Sequence, residues 1–359
     1  MKRCTNAGTI LALACALALV LTGTELRAQD DGRRFEAVRL YNQAQDKYNR
    51  GDYQGAVADY SNAIRQFPAY YDAYGRRAEA QIKLQNYAGA IESYQQMIRI
   101  FPNDAGVYRR LGDAYVALSN WDLALDAYNQ LISRDGGREP RQLRTAVYLQ
   151  LGRYADALAD YDALIEQERE EGQLYLERGR IYQLGGNLQA AIADYDRAVL
   201  LRPDDIEVRV QRATALYFER KNLRALDDCE TVLKRDGQNA LALYTRANAR
   251  FALGFKADAL REVDQIAPLA PVGVFAFQAR ALARLNRKDY AGAVADLSEA
   301  VRLQPAFALA YLQRGQAHAG VGDRPKARSD YAEASRLFGV YGDATNLKLA
   351  QEALQKLGS

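Results

Sequence analysis

Histidine occurs once in this chain, at His318, tryptophan once and methionine twice, and the three cysteines are Cys4, Cys15 and Cys229. So few soft ligands exclude a His/Cys metal cluster, and a Cys–His nucleophile pair has nothing to build on. A Gly-rich phosphate loop and a zinc-protease helix motif are also missing. Charge of one sign is lacking too: 48 Lys and Arg stand against 45 Asp and Glu, for a net +3. That near balance gives no electrostatic case for nucleic acid or an anionic membrane. The acidic run Glu166, Glu168, Glu170 and Glu171 has no calcium-loop glycine and reads as a solvated helix end.

Long apolar runs are confined to the front. Met1, Lys2 and Arg3 precede an uncharged stretch from Ile10 to Leu21, and small residues follow up to Ala28. This pattern predicts a secretory signal peptide over residues 1–28, followed by a lead-in over 29–36. The run is short against the ~20 apolar residues of a spanning helix, so no stable membrane insertion is expected after cleavage. The expected location is periplasmic or secreted, with an uncleaved inner-membrane anchor as the alternative. Cys15 lacks the leucine of a lipoprotein box. Cleavage removes Lys2, Arg3, Arg27 and Glu25, leaving 48 − 3 = 45 basic and 45 − 1 = 44 acidic residues. Cys229 would then be alone, so no internal disulfide forms and stability must come from packing.

What the chain does contain is a period. Ala56, Ala90, Ala124, Ala157, Ala191, Ala225, Ala259, Ala293 and Ala327 recur every 34 residues, with one interval of 33. A compact enzyme has no reason to keep such spacing; a stack of small units sharing one core does. With the alanine at position 20 of each unit, position 8 is small in every repeat (Ala44, Ala78, Gly112, Thr145, Gly179, Ala213, Ala247, Ala281, Gly315). Position 24 is bulky except at Cys229, and position 32 is proline or glycine except at Arg169. Small residues at 8 and 20 let two helices cross closely beside the bulky residue at 24. Asp52, Asn86, Asn120, Asn187, Asp289 and Asp323 are placed to cap the second helix, and the breaker at 32 is expected to end it.

These columns, with Gly51-Asp52-Tyr53 before Ala56 and Pro68 at the end of the unit, resemble the tetratricopeptide repeat family over about residues 35 to 341. The resemblance implies an all-α, right-handed α-solenoid of nine helix-turn-helix repeats. Their expected bounds are 37–70, 71–104, 105–137, 138–171, 172–205, 206–239, 240–273, 274–307 and 308–341. A C-terminal capping helix is expected within 342–359, with Leu347, Ala350, Leu354 and Leu357 on one face. The short interval lies in the turn 134–140, where a change of superhelical pitch is expected.

Arginine dominates position 7 and Asp or Glu position 23. The exceptions at Ser93 and Leu111 suggest that each acid pairs with the arginine of the next repeat, so that Asp194 meets Arg212. His318 and Cys229 occupy packing columns, and Cys229 should be buried and unreactive. Arg50-Gly51-Asp52 spells an adhesion tripeptide but is explained by the hairpin turn.

In the resembled family, residues 2, 5, 6 and 9 of each first helix look into a concave groove. Here the resemblance points to Arg76, Arg109 and Arg110 at a charged end and to Leu241, Tyr244, Phe275, Leu309 and Leu312 at an apolar end. The lysine and asparagine set of the family's carboxylate clamp is absent. The expected function is a non-catalytic scaffold or adaptor with a protein or peptide partner, without cofactor or metal, homo-oligomerisation being left open. The alternative is a hydrophobic small molecule or glycan chain in the same groove.

Overall fold

The computed structural model describes residues 30–266 and 273–358. The expected signal peptide lies outside the described residues. Every regular element among those described is a helix, and the chain forms two compact units that meet at Pro140 and Arg141. That boundary falls inside the single 33-residue interval, between Ala124 and Ala157.

The first unit holds α1 (30–49), α2 (Tyr53–Gln66), α3 (Tyr71–Lys83), α4 (Tyr87–Ile100), α5 (Ala105–Ala117) and α6 (Trp121–Arg134). Helix α7 (Arg138–Gln150) carries the boundary. The second unit continues with α8 (Tyr154–Gln167), α9 (Gly172–Leu184), α10 (Leu188–Leu201), α11 (Ile206–Phe218), α12 (Asn222–Arg235) and α13 (Ala240–Ala252). It ends with α14 (Lys256–Ile266), α15 (Val274–Asn286), α16 (Tyr290–Leu303), α17 (Ala308–Gly320), α18 (Arg324–Tyr341) and α19 (Ala344–Gly358). In the second unit, α9, α11, α13, α15 and α17 also pack on one another, forming one layer of the stack.

The hairpins follow from their columns. The nine position-20 alanines are essentially inaccessible, so two helix backbones approach there without an intervening side chain. Position 8 answers from the other helix: a Cβ on Gly179 would lie 2.6 Å from the Tyr195 ring. Five of the six proposed caps accept a backbone hydrogen bond, as Asp52 does from Gly55 N at 2.9 Å. Asn120 makes no such bond.

Position 15 of every repeat adopts a positive φ. Glycine supplies it at Gly51, Gly152, Gly186, Gly254 and Gly322, but Gln85, Ser119, Arg220 and Lys288 occupy the same turn at φ between 56° and 65°. L side chains are strained there.

Two elements depart from expectation. Gly339 at position 32 does not end its helix; α18 runs on to Tyr341 and stops at Gly342, φ 70°. Helix α1 begins at residue 30, inside the expected lead-in. The final helix α19 packs on α18, burying Ala350 against Ala334, Leu337 and Phe338. Asp343 accepts from Asn346 N at 3.0 Å to open it.

Candidate functional site

The arginine and acid columns meet, but within each repeat, not between repeats. Arg178 Nε donates to Asp194 Oδ2 at 2.8 Å and its Nη2 to Asp194 Oδ1 at 2.7 Å. The same two-pronged pair joins Arg212 to Asp228, Arg280 to Asp296 and Arg314 to Asp330; Arg144 and Asp160 also pair, as do Arg246 and Glu262. The expected pairing with the next repeat is therefore corrected: position 7 of one helix faces position 23 of its own hairpin partner.

The link between repeats uses a different column. The remaining Nη1 of Arg178 and Arg212 reaches back to Asp162 and Asp196, at position 25 of the preceding repeat, at 2.7 and 2.8 Å. Where the charge is missing, neutral groups or a substitute take over. Arg77 Nε donates to Ser93 Oγ at 3.0 Å, and Asp59 takes Lys47 at 2.7 Å. Burial raises the Asp194 carboxyl, opposed by its Arg178 hydrogen bond. The arginines of this column are thus structural.

The apolar groove candidates are not open anchors. Tyr244 is fully buried, with its hydroxyl donating to Ile266 O at 3.0 Å. Leu241 and Phe275 are also buried, Phe275 edge-on to Phe307 with ring centroids 5.9 Å apart. Leu309 and Leu312 pack on the cluster formed by α18 and α19. These surfaces are buried by helices next to them in the chain, and the second unit also closes on itself.

Three hydrogen bonds make the closure. Tyr154 OH and Tyr341 OH both donate to Ala306 O, at 3.0 and 2.9 Å, and Gln304 Nε2 donates to Leu149 O at 2.7 Å. The two tyrosine rings lie 4.7 Å apart, and Gly152 leaves no room there for a Cβ, which would stand 2.9 Å from Ala306 Cβ. Burial pushes the Tyr154 hydroxyl well up and that of Tyr341 to about 12, so both stay protonated and keep donating.

The charged candidates are exposed. Arg76 Nη1 donates to Glu79 at 2.8 Å, Arg109 pairs with Glu139 at 2.9 Å, and Arg110 makes no ion pair among the described residues. The position-24 tyrosines of the first unit, Tyr60, Tyr94 and Tyr128, are buried, and Tyr128 donates to Asp113 at 2.7 Å.

Sequence reasoning missed Glu177, Arg180, Glu207 and Gln211. They stand at positions 2, 6 and 9 of repeats five and six, columns already picked out in other repeats. Together with apolar side chains they line a cleft of about 320 Å3 in the second unit.

His318 is buried, with its Nε2 3.8 Å from Asp330 Oδ2 and its Nδ1 without a partner. Burial holds its imidazole below the usual pKa, against the pull of Asp330. Cys229 is a buried free thiol, pushed well up by burial.

The chain matches the tetratricopeptide repeat over residues 41–105 and 147–206, and a second description of the same repeat over 84–147. Residues 41–206 thus consist of tetratricopeptide repeats. Among solved structures, the chain is similar to a tetratricopeptide repeat protein from Parabacteroides merdae, with a TM-score of 0.54 at 18% identity, over 65% of this chain and 93% of that one. It is also similar to YrrB, described as a TPR protein with an unusual peptide-binding site, with a TM-score of 0.40 at 20% identity, over 51% of this chain and 94% of that one. A chicken (Gallus gallus) DnaJ homolog subfamily C member 3 is 35% identical over 91 residues, which is 25% of this chain and 18% of that relative's length.

Proposed function

We propose that this protein is a non-catalytic scaffold that holds another protein, and that the first unit presents the contact surface. The observation that carries this reading is the contrast between the two candidate ends. Arg76, Arg109 and Arg110 are solvent-exposed on consecutive first helices, while Leu241, Tyr244 and Phe275 are consumed by packing. Exposed guanidinium groups suit an extended segment carrying carboxylates, since Arg binds them in a planar two-pronged way.

Charge reversal of Arg76 and Arg110 to Glu is expected to weaken capture of the native partner at least tenfold, with the melting temperature unchanged. Undiminished capture by the double variant would remove this surface from consideration. Export to a bacterial periplasm or cell envelope is part of the proposal, supported by the sequence of residues 1–28. N-terminal sequencing of the mature chain tests it, and an N-terminus at Met1 would count against cleavage.

A further inference from the structure

We propose that the cleft of the second unit binds a ligand made of an apolar body and a primary ammonium head. This inference stands apart from the partner-binding surface of the first unit. The cleft, at about 320 Å3, lies at the lower end of the roughly 300–1,000 Å3 typical of small-molecule sites. Its apolar wall includes Leu149, Ile181, Leu184, Leu241 and Phe275. Most of these side chains are already buried by their own packing, Leu149 least so, and a ligand body resting in the cleft covers the apolar surface that packing leaves open.

The head is read from the polar end. Arg180 Nη1 donates to Glu177 Oε1 at 3.0 Å, and its Nη2 donates to Glu207. Two carboxylates on one guanidinium leave the cluster with a net negative charge, so an anionic head is repelled. Gln211 Nε2 donates to Glu207 Oε1 at 3.2 Å. That bond fixes the amide's orientation, because the flipped amide would set its carbonyl against a carboxylate.

Gln211 is 6% exposed and its Oε1 has no hydrogen-bond partner. A buried acceptor left unmatched costs free energy, and a donor on the ligand would remove that cost. A head that is positive and rich in donors answers both features. An ammonium is a compact charge with three donors, and the cleft residues offer three acceptor groups in Glu177, Glu207 and Gln211. A hydroxyl would satisfy Gln211 but leave the charge unmatched.

The test compares hexylamine, hexanol and hexanoate on the full-length protein by calorimetric titration at neutral pH and matched ionic strength. Hexylamine is expected to bind at least tenfold more tightly than hexanol, with hexanoate weakest. Glu207→Gln should weaken hexylamine at least tenfold and hexanol by a much smaller factor. Glu207 is half-exposed, with 51% of its side chain open to solvent, and the comparison of the three probes on the unmodified chain needs no variant at all. Equal binding of hexanoate and hexylamine, or hexylamine binding indifferent to Glu207→Gln, would overturn the proposal.

Discussion

The Tyr154 hydroxyl donates to the carbonyl of Ala306 at 3.0 Å, across 152 residues of chain. This bond ties the start of α8, early in the second unit, to the turn before that unit's last hairpin. A repeat stack normally gains stability from nearest neighbours alone; here one long-range contact is added. Tyr154→Phe removes only the hydroxyl and should cost about 0.5–1.5 kcal/mol. Tyr154→Ala also removes the ring packed on Tyr341 and should cost about 3–5 kcal/mol. Urea denaturation of the two variants checks the order, and equal losses would show that the ring contributes nothing.

Arg178→Met leaves Asp194 buried with its partner gone. Removing one member of a buried ion pair costs about 3–5 kcal/mol, whereas replacing both with apolar groups is close to neutral. Arg178→Met combined with Asp194→Leu should therefore recover most of the loss. Arg77→Met removes only hydrogen bonds to neutral groups, Ser93 Oγ and Ser61 Oγ, and the Ser93 hydroxyl keeps its bond to Gln81 Oε1, so the change should cost less, about 0.5–1.5 kcal/mol. Thermal melts of the three variants give the comparison, and a double variant as unstable as Arg178→Met would argue against the pair.

Lys288 holds a left-handed turn, φ 65°, that five other repeats give to glycine. Relief of that backbone strain, worth roughly 1–2 kcal/mol, exceeds the roughly 0.5–1 kcal/mol entropic penalty of glycine. Lys288→Gly should raise stability modestly, by about 0.5–1 kcal/mol. The converse change, Gly322→Ala at φ 85°, should lower it. Differential scanning calorimetry reads both signs.

His318 supplies the pH dependence. Its folded pKa is depressed by burial, so the unfolded chain takes up the proton more readily. The stability linked to it is fully present above the ordinary histidine value near 6.5 and is lost as pH falls toward and through the lower folded value. As the chain has one histidine, His318→Tyr, the residue at this position in three other repeats, should flatten the fall in melting temperature just below pH 6.5. An unaltered slope there would place the titration elsewhere.

Glycine at position 8 marks where the second helix comes closest. Gly179→Ala puts a methyl 2.6 Å from the Tyr195 ring and should cost about 1–3 kcal/mol through overpacking. Shortening the opposing side chain in Gly179→Ala with Tyr195→Leu should return part of that loss.

The sequence by itself determined the period, the hairpin and its punctuation. Ala191, Gly179 and Tyr195 lie in one 34-residue unit, and the demands of two crossing helices are local enough to leave a column in every repeat. The charged columns were equally visible, and their pairing was readable as well. Repeat three lacks both partners, Leu111 and Ala127 standing at positions 7 and 23, as pairing within a hairpin requires. Gln43 and Ser93 mask the pattern in repeats one and two, because Lys47 and a serine hydroxyl replace the missing groups there. Only the tertiary structure decided what becomes of the concave side chains. Tyr154 meets Ala306 and Tyr341 through the small rotation added by each successive repeat, and no residue column records that sum. The same unit buries Phe275 edge-on to Phe307 and gathers Glu177, Arg180, Glu207 and Gln211 at one cleft.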